Sequence, residues 1–588
     1  MIDSKVVIEE YINKSDWRVN ENSNLPYSFG GLNKHISTEI SKDYWLRYIY
    51  PKKITTAYLN GKMHIHDLGG LSLYCCGYSL KDILMTGVFG VDNIPRSKPA
   101  KHFDAALNQL ANLVTIFQNE IMGAVAFNSF DTLLAPYVRE DNLTYEEVVQ
   151  GVQNFIFSIN SNSRGGAEPA FSNLTFDLTP PSDLLDKFVW IADEIKEYTY
   201  KECQPQMDMI NKAFYELMLK GDADGRPFGY PIPTYNIHKR FDWDNPNNDL
   251  LFEMAGKYGY PYFANFINSE MDIGDTRSMC CRLSLSLTDL RRRNGGLFGS
   301  GDSTGSIGVV TINLPRLAYQ NSENEKRFFK ELSNVLTLAK ESLEIKREWL
   351  QENIIDKRMI PAYNAYVGTL KNHFSTIGVI GMNEMCENFF GEGIDILSDE
   401  GKRLAIKVSN FIRDKLIEFQ QETGNLWNYE ATPAEGTAYR LAKKDTEEFD
   451  DIVTRGTKEA PYYTNSCHIA VGKVTGIKST FDHQDDLQTL FTGGTVIHTF
   501  LDGSITGGQA KQIIKALCET YKTPYISLSP LNRYCKIHGY VEERLENCPQ
   551  CGAELELYQR VTGYLRKVDL FNAGKKSEFK ERVQLTIM

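Results

Sequence analysis

Residues 560–579 read RVTGYLRKVDLFNAGKKSEF, and the meaning of this stretch decides what kind of protein the chain builds. It opens on Arg560-Val561-Thr562-Gly563-Tyr564-Leu565, continues to Phe571-Asn572-Ala573-Gly574-Lys575-Lys576, and gives way to a short charged helical pattern. Gly574 has two readings. As a turn glycine it supplies a backbone angle that other residues resist. As a functional residue it can hold an unpaired electron: without a side chain its α-carbon can become planar, and the flanking amide nitrogen and carbonyl delocalise the spin.

Immediately upstream stands Cys535-Lys-Ile-His538, then residues 539–547, then Cys548-Pro-Gln-Cys551-Gly552. Two pairs of donors, each spaced by two residues, close a tetrahedron around Zn²⁺; Cys535, His538, Cys548 and Cys551 saturate it, so the site reads as structural. In the other reading His538 is a solvent-facing turn residue and three thiolates remain.

Working outward, the 588 residues are 42% hydrophobic, 24% charged and 12% aromatic, the balance of a globular protein with a sizeable core. A net charge of −12 leaves no basic footprint for a nucleic-acid polymer, though a local cationic pocket for a phosphorylated small molecule is compatible with it. No stretch reaches the roughly 18 apolar residues of a membrane helix, and the start lacks a signal peptide, so the expected location is cytoplasmic. There, eleven cysteines point to metal, redox chemistry or burial rather than to a disulfide framework.

Apolar residues recur at helical spacing over 105–121, and a second helical pattern is predicted from Met122 to Tyr137. Strand-like runs at 171–177, 307–312 and 496–501 alternate with helical stretches at 325–353 and 402–421, which predicts an α/β fold. The one compositional break falls near Ser529-Pro530.

The tail at 560–579 behind a cysteine-rich ribbon resembles the glycyl-radical region of the anaerobic (class III) ribonucleoside-triphosphate reductases. Other glycyl-radical enzymes, pyruvate formate-lyase among them, share the Arg-Val-x-Gly-Tyr element but continue differently and lack the ribbon. The resemblance implies a ten-stranded α/β barrel over residues 1–530, a zinc ribbon at 531–556 and a C-terminal radical loop at 557–588. It implies Gly574 as the radical glycine, generated by a separate activase that uses S-adenosylmethionine and an iron–sulfur cluster.

Arg277-Ser278-Met279-Cys280-Cys281-Arg282 is similar to the family's Met-x-Cys-Arg loop, which makes Cys281 the transient thiyl and Cys280 its neighbour. Sulfur suits that role because an S–H bond is comparable in strength to the glycine and ribose C–H bonds. Tyr74-Cys75-Cys76-Gly77-Tyr78 resembles a Tyr-Cys-x-Gly-Trp element, with Cys75 as hydrogen donor to the ribose; neighbours on a strand face opposite ways, so one of Cys75 and Cys76 enters the site. Asn428 to Thr437 resembles the loop at the triphosphate and ribose end, implying Thr432, Gly436 and Thr437 as substrate contacts and Glu435, ahead of Glu430, as acid/base. Thr432-Pro433 with Glu435 reads equally as a helix cap.

Formate-using members carry an asparagine where this chain has Ser306, so the expected reductant is a thioredoxin- or glutaredoxin-like protein, with formate as the alternative. The helical region 105–160 resembles the dimer interface at which a nucleotide effector (a deoxynucleoside triphosphate or ATP) selects the substrate, and the expectation is that the ATP-cone preceding the barrel in many members has no counterpart here. The expectation is a homodimer that reduces ribonucleoside triphosphates for DNA synthesis. A glycyl-radical lyase or dehydratase is the rival reading; a zinc-ribbon nucleic-acid-binding protein is the rival from another class.

Overall fold

The computed structural model describes residues 2–19, 21, 23, 27–91, 94–161, 168–268, 303–431 and 435–587, and the backbone alone of 20, 276–278 and 284–286. One eleven-stranded sheet dominates it. In chain order its strands are β1 (Met63–Ile65), β2 (Cys75–Tyr78), β3 (Val125–Phe127), β4 (Ser172–Phe176), β5 (Ile232–Ile237), β6 (Tyr262–Asn265), β7 (Thr304–Asn313), β8 (His373–Ile380), β9 (Leu426–Glu430), β10 (Ile497–Leu501) and β11 (Tyr525–Pro530). Across the sheet the order is β9-β8-β7-β2-β3-β4-β5-β6-β11-β10, with β1 added antiparallel to β7.

Strands β2 to β6 are parallel to one another. So are β7, β8 and β9, and β10 with β11. The first group meets the other two antiparallel, at β7·β2 and β6·β11. A parallel bridge between Glu430 and Gly493 then joins β9 to the segment entering β10, with the Ala431 N–H donating to the Gly493 carbonyl at 3.0 Å. The path thereby closes into a ten-stranded barrel of two five-stranded parallel halves, the architecture that the resemblance implies.

Parallel neighbours need long crossovers, and helices supply them. Those used below are α1 (Phe29–Tyr44), α2 (Phe103–Gln118), α3 (Phe130–Glu140), α4 (Tyr145–Ile159), α5 (Glu325–Leu350), α6 (Asp399–Thr423), α7 (Glu435–Glu448) and α8 (Ala573–Glu581). Each long one buries an apolar stripe at helical spacing, as with Leu332, Leu336, Ala339, Leu343 and Leu350 of α5. Ends are defined by side chains: Thr144 and Glu147 form a reciprocal capping box on α4. Among the described residues no helix is long and apolar enough to cross a membrane.

The helical pattern predicted from Met122 is corrected. Val125–Phe127 is strand β3, and α3 begins only at Phe130 after Ser129 in a left-handed conformation. Val125, Ala126 and Phe127 are all buried because β3 lies inside the barrel wall, and a short strand covered on both faces gives no period-2 signal.

The proposed boundary at 556/557 also gives way. Strands β12 (Asn532–Cys535), β13 (Gly539–Val541), β14 (Glu556–Arg560) and β15 (Leu565–Lys567) form one antiparallel sheet in the order β13-β12-β14-β15. Hydrogen bonding is continuous from the cysteine knuckles to the hairpin Arg560–Leu565, so ribbon and tail are one unit.

Candidate active site

A cavity of about 730 Å³ opens at the mouth of the barrel where the N-terminal ends of β2 to β5 meet the C-terminal end of β9. Tyr74, Gly123, Phe171 and Ile232 contribute from the first half, Glu435, Gly436, Thr437 and Arg440 from α7, and α1 with Trp17, Arg18, Val19 and Glu21 completes the wall. Its size suits a nucleotide-sized ligand.

Into this cavity points the turn between β14 and β15. The Val561 N–H donates to the Tyr564 carbonyl at 3.0 Å, closing the hairpin, and Thr562, Gly563 and Tyr564 all line the cavity. The Gly563 carbonyl accepts from the Tyr262 hydroxyl at 2.5 Å and from Arg560 Nη1 at 2.8 Å.

Gly574 lies elsewhere. It is the second residue of α8, behind the cap Asn572, and it does not line the cavity. Its φ is not positive, so no turn conformation requires glycine there. The requirement is one of space: a Cβ would stand 2.9 Å from Tyr439 Cβ and 3.2 Å from the Pro461 carbonyl. A residue in a helical turn, covered by Tyr439 and Pro461 and off the cavity wall, is not placed to exchange hydrogen with a cavity thiol. The assignment of the radical to Gly574 is therefore corrected, and Gly563 is the glycine that the fold delivers to the cavity. The signal was present in the sequence, because Arg560-Val-Thr-Gly563-Tyr564 resembles the Arg-Val-x-Gly-Tyr element of glycyl-radical enzymes.

Glu435, the first residue of α7, is buried and lines the same cavity. It accepts from the Tyr564 hydroxyl at 2.9 Å, from the Ser23 N–H at 3.2 Å and from the Ser23 hydroxyl at 3.3 Å. Burial pushes its carboxyl up to about 7 against those hydrogen bonds and the nearby Lys575 cation. A carboxyl that is half protonated near neutrality is suited to moving protons in either direction. Thr437 is buried on the cavity wall, and Gly436 lets Glu21 pass within 2.6 Å of where a Cβ would be. Thr432 lies outside the described residues.

Cys75 and Cys76 face opposite ways from β2. Cys75 packs with Ala124, Ala126, Tyr74 and Phe171 on the inner face, while Cys76 belongs to the outer core with Tyr78 and Phe117. Burial pushes the Cys76 thiol far above its ordinary value. Phe171 also meets the ring of Tyr564 at 5.9 Å, so one aromatic ring separates the Cys75 cluster from the residue next to Gly563. Cys280 and Cys281 lie outside the described residues; the strands that flank them pair antiparallel, Ser278 with Ser284. Ser306 pairs with Cys75 across β7 and contacts the Thr376 hydroxyl at 3.2 Å, which contacts Asn428 Oδ1 at 2.7 Å.

The four knuckle residues converge: Cys535 Sγ, His538 Nδ1, Cys548 Sγ and Cys551 Sγ lie within 4.8 Å of one another. The Cys535–His538, Cys548–His538 and Cys535–Cys551 separations are 3.6, 3.4 and 3.6 Å. These approach the edge of roughly 3.8 Å that a tetrahedron of zinc–sulfur bonds about 2.3 Å long would have. The donor set fits a metal ion with no open position.

Composition and spacing did not single out His64, His66 and Asp67, although all three line the cavity. Burial pushes His64 well below its ordinary value and takes His66 to about 3, so both rings are neutral; burial raises the Asp67 carboxyl. Arg440 Nη1 stands 3.2 Å from His64 Nδ1, and His66 Nε2 is 2.8 Å from the Thr311 hydroxyl. The run His64-Ile-His66-Asp67 reads as an ordinary strand end, because its place on the cavity wall is set by the packing of β1 in the barrel and not by its spacing.

Comparison with known proteins gives a consistent family. The family profile described as anaerobic ribonucleoside-triphosphate reductase matches residues 21–585. The reductase of that name from Escherichia coli K12 is 25% identical over 590 residues, covering 93% of this chain and 80% of its own length. The one from enterobacteria phage T4 is 23% identical over 641 residues, covering 98% and 99%. The anaerobic ribonucleotide reductase from Thermotoga maritima, solved in complex with dATP and CTP, has the same fold at a TM-score of 0.75 and 19% identity, covering 98% of both chains.

Proposed function

The chain belongs to the anaerobic ribonucleoside-triphosphate reductase family, and from that premise we propose that it makes deoxyribonucleotides by passing an unpaired electron between Gly563 and a cysteine of the 279–283 segment. The observation that carries the reading is the hairpin tip Thr562-Gly563-Tyr564 on the wall of the cavity that also holds Glu435. A separate activase, using S-adenosylmethionine and an iron–sulfur cluster, removes a hydrogen atom from Gly563. That glycine then takes a hydrogen atom from the Cys281 thiol, and the Cys281 thiyl takes the ribose 3′-hydrogen.

The 2′-hydroxyl leaves as water, with Glu435 supplying the proton. As water leaves, the 3′-hydroxyl proton returns to Glu435 and a 3′-ketone forms. Cys75 gives a hydrogen atom to C2′ and is left as a thiyl. One electron and one proton at each then restore the Cys75 thiol and a 3′ radical, to which Cys281 returns the hydrogen. Two electrons come from a thioredoxin- or glutaredoxin-like dithiol; the Ser306–Thr376–Asn428 row opposite Cys75, in place of an asparagine at 306, favours this over formate. The triphosphate lies toward the start of α7 and Arg440, near Gly436, Thr437 and Thr432.

Cys535, His538, Cys548 and Cys551 would hold a zinc ion, whose chemistry is structural: it fixes the base of the sheet whose hairpin carries Gly563. A nucleotide effector and a second subunit act on the face formed by α2, α3 and α4. The test is anaerobic activation followed by incubation with CTP or ATP. Deoxynucleotide is expected; product from a diol or a 2-oxo acid instead would favour a lyase or dehydratase.

A further inference from the structure

Glu435 is the point at which three separate parts of the chain meet. Its side chain accepts from Tyr564 of the β14–β15 hairpin and from Ser23 of the N-terminal segment, and its carbonyl accepts from Asn572 Nδ2 at 3.1 Å. The same Asn572 amide reaches the Glu21 carbonyl at 3.2 Å and, through its oxygen, caps the start of α8. Tyr564 itself is buried, its ring edge-on to Phe171 at 5.9 Å and covered by the Arg566 guanidinium at 4.7 Å. Its hydroxyl is therefore aimed by packing on both sides, and Tyr564 is the chain neighbour of Gly563.

We propose that Tyr564 is the positioning residue of Glu435, so that the carboxyl is held ready for proton transfer only while the hairpin carrying Gly563 is seated in the barrel. The inference rests on the acid/base reading of Glu435. Physically, a phenol donating to a carboxylate stabilises its charged form, and withdrawing the hairpin removes that donor together with the aim of the carboxyl. The other groups facing the carboxyl are the Lys575 cation on α8, the Tyr230 phenol two residues before β5 and the Ser23 hydroxyl, with Glu21 beyond Gly436. Of these, Lys575 is engaged by Glu578 and Asn465, so it supports the charge from a distance without orienting it.

The experiment is an infrared titration of the unactivated enzyme, in which the carboxyl band missing from Glu435→Gln identifies Glu435. In the wild type its midpoint is expected near 7. In Tyr564→Phe the midpoint should rise by about one unit, the size expected for loss of one hydrogen bond to a charged acceptor. In the activated enzyme the matching limb of the turnover–pH profile should move up by the same amount, and kcat at pH 7 should fall by about tenfold because the loss of aim outweighs the larger protonated fraction, while KM changes by less than about threefold. Because the titration needs no radical, it reads the effect even if activation of the variant is poor. A midpoint and pH limb in Tyr564→Phe equal to those of the wild type would overturn the proposal. Full turnover by Glu435→Gln would instead remove the acid/base reading beneath it, and the two failures are distinguishable.

Discussion

The hydroxyl of Tyr262, on β6, donates a 2.5 Å hydrogen bond to the carbonyl of Gly563 at the tip of the β14–β15 hairpin. It ties the barrel wall to the glycine that the fold presents to the cavity, and Arg560 stacks over the Tyr262 ring at 4.2 Å while donating to the same carbonyl. Tyr262→Phe leaves Arg560 as the remaining donor in this pair. The expected cost is about 1 kcal/mol of stability, read from the denaturant midpoint, with a glycyl radical that decays faster than in the wild type.

The two cysteines of β2 separate by face. Cys75→Ser should form the radical at wild-type yield and make no deoxynucleotide, because the lost thiol is the one packed on the inner side with Phe171. Cys76→Ala should keep turnover within about threefold and lose about 1–2 kcal/mol, the cost of a small deletion in the outer core. Equal loss of turnover in both variants would contradict the division.

Glu435 makes stability depend on pH in a stated direction. Its carboxyl is raised from 4.5 to about 7 in the folded chain, so the native state holds a proton that the unfolded chain has released between those values. No penalty exists below about pH 4.5; it grows as pH rises and is complete above about pH 7, reaching on the order of 3 kcal/mol. Glu435→Gln should therefore gain stability over the wild type as the pH is raised from 4.5 to 8. A difference in thermal midpoint that stays flat across that range would contradict the assignment.

Metal removal should act at the hairpin rather than on the barrel. One zinc ion per chain is expected, and a chelator or Cys548→Ser should raise hydrogen exchange across β12 to β15, because the knuckles and the hairpin share one ladder. Strands β2 to β9 should keep their protection. The radical yield is expected to fall with the ribbon's order.

Different levels of this structure were legible to different degrees. The cysteine knuckles could be read because their donors lie close in sequence, and their geometry needs little beyond the turn that joins them. The barrel is legible from the family resemblance and not from periodicity: Val125–Phe127 is buried on both faces, and the residues around it carry a helical pattern. The resemblance points to Gly574, but Gly563 lies in the same stretch, and linear order does not tell which of them a hairpin carries inward. The carboxyl chemistry of Glu435 was visible in its loop, whereas its partner Tyr564 stands 129 positions away and is joined to it only by the return of the chain.

The most direct test of the central claim uses the chemistry of the radical itself. Dioxygen adds to a carbon-centred radical on a backbone α-carbon, and the chain then breaks at that residue. Activated enzyme exposed briefly to air should therefore yield a fragment beginning near Tyr564, with the same cut in Gly574→Ala and none in Gly563→Ala. A fragment beginning near Lys575, abolished in Gly574→Ala and retained in Gly563→Ala, would contradict the account.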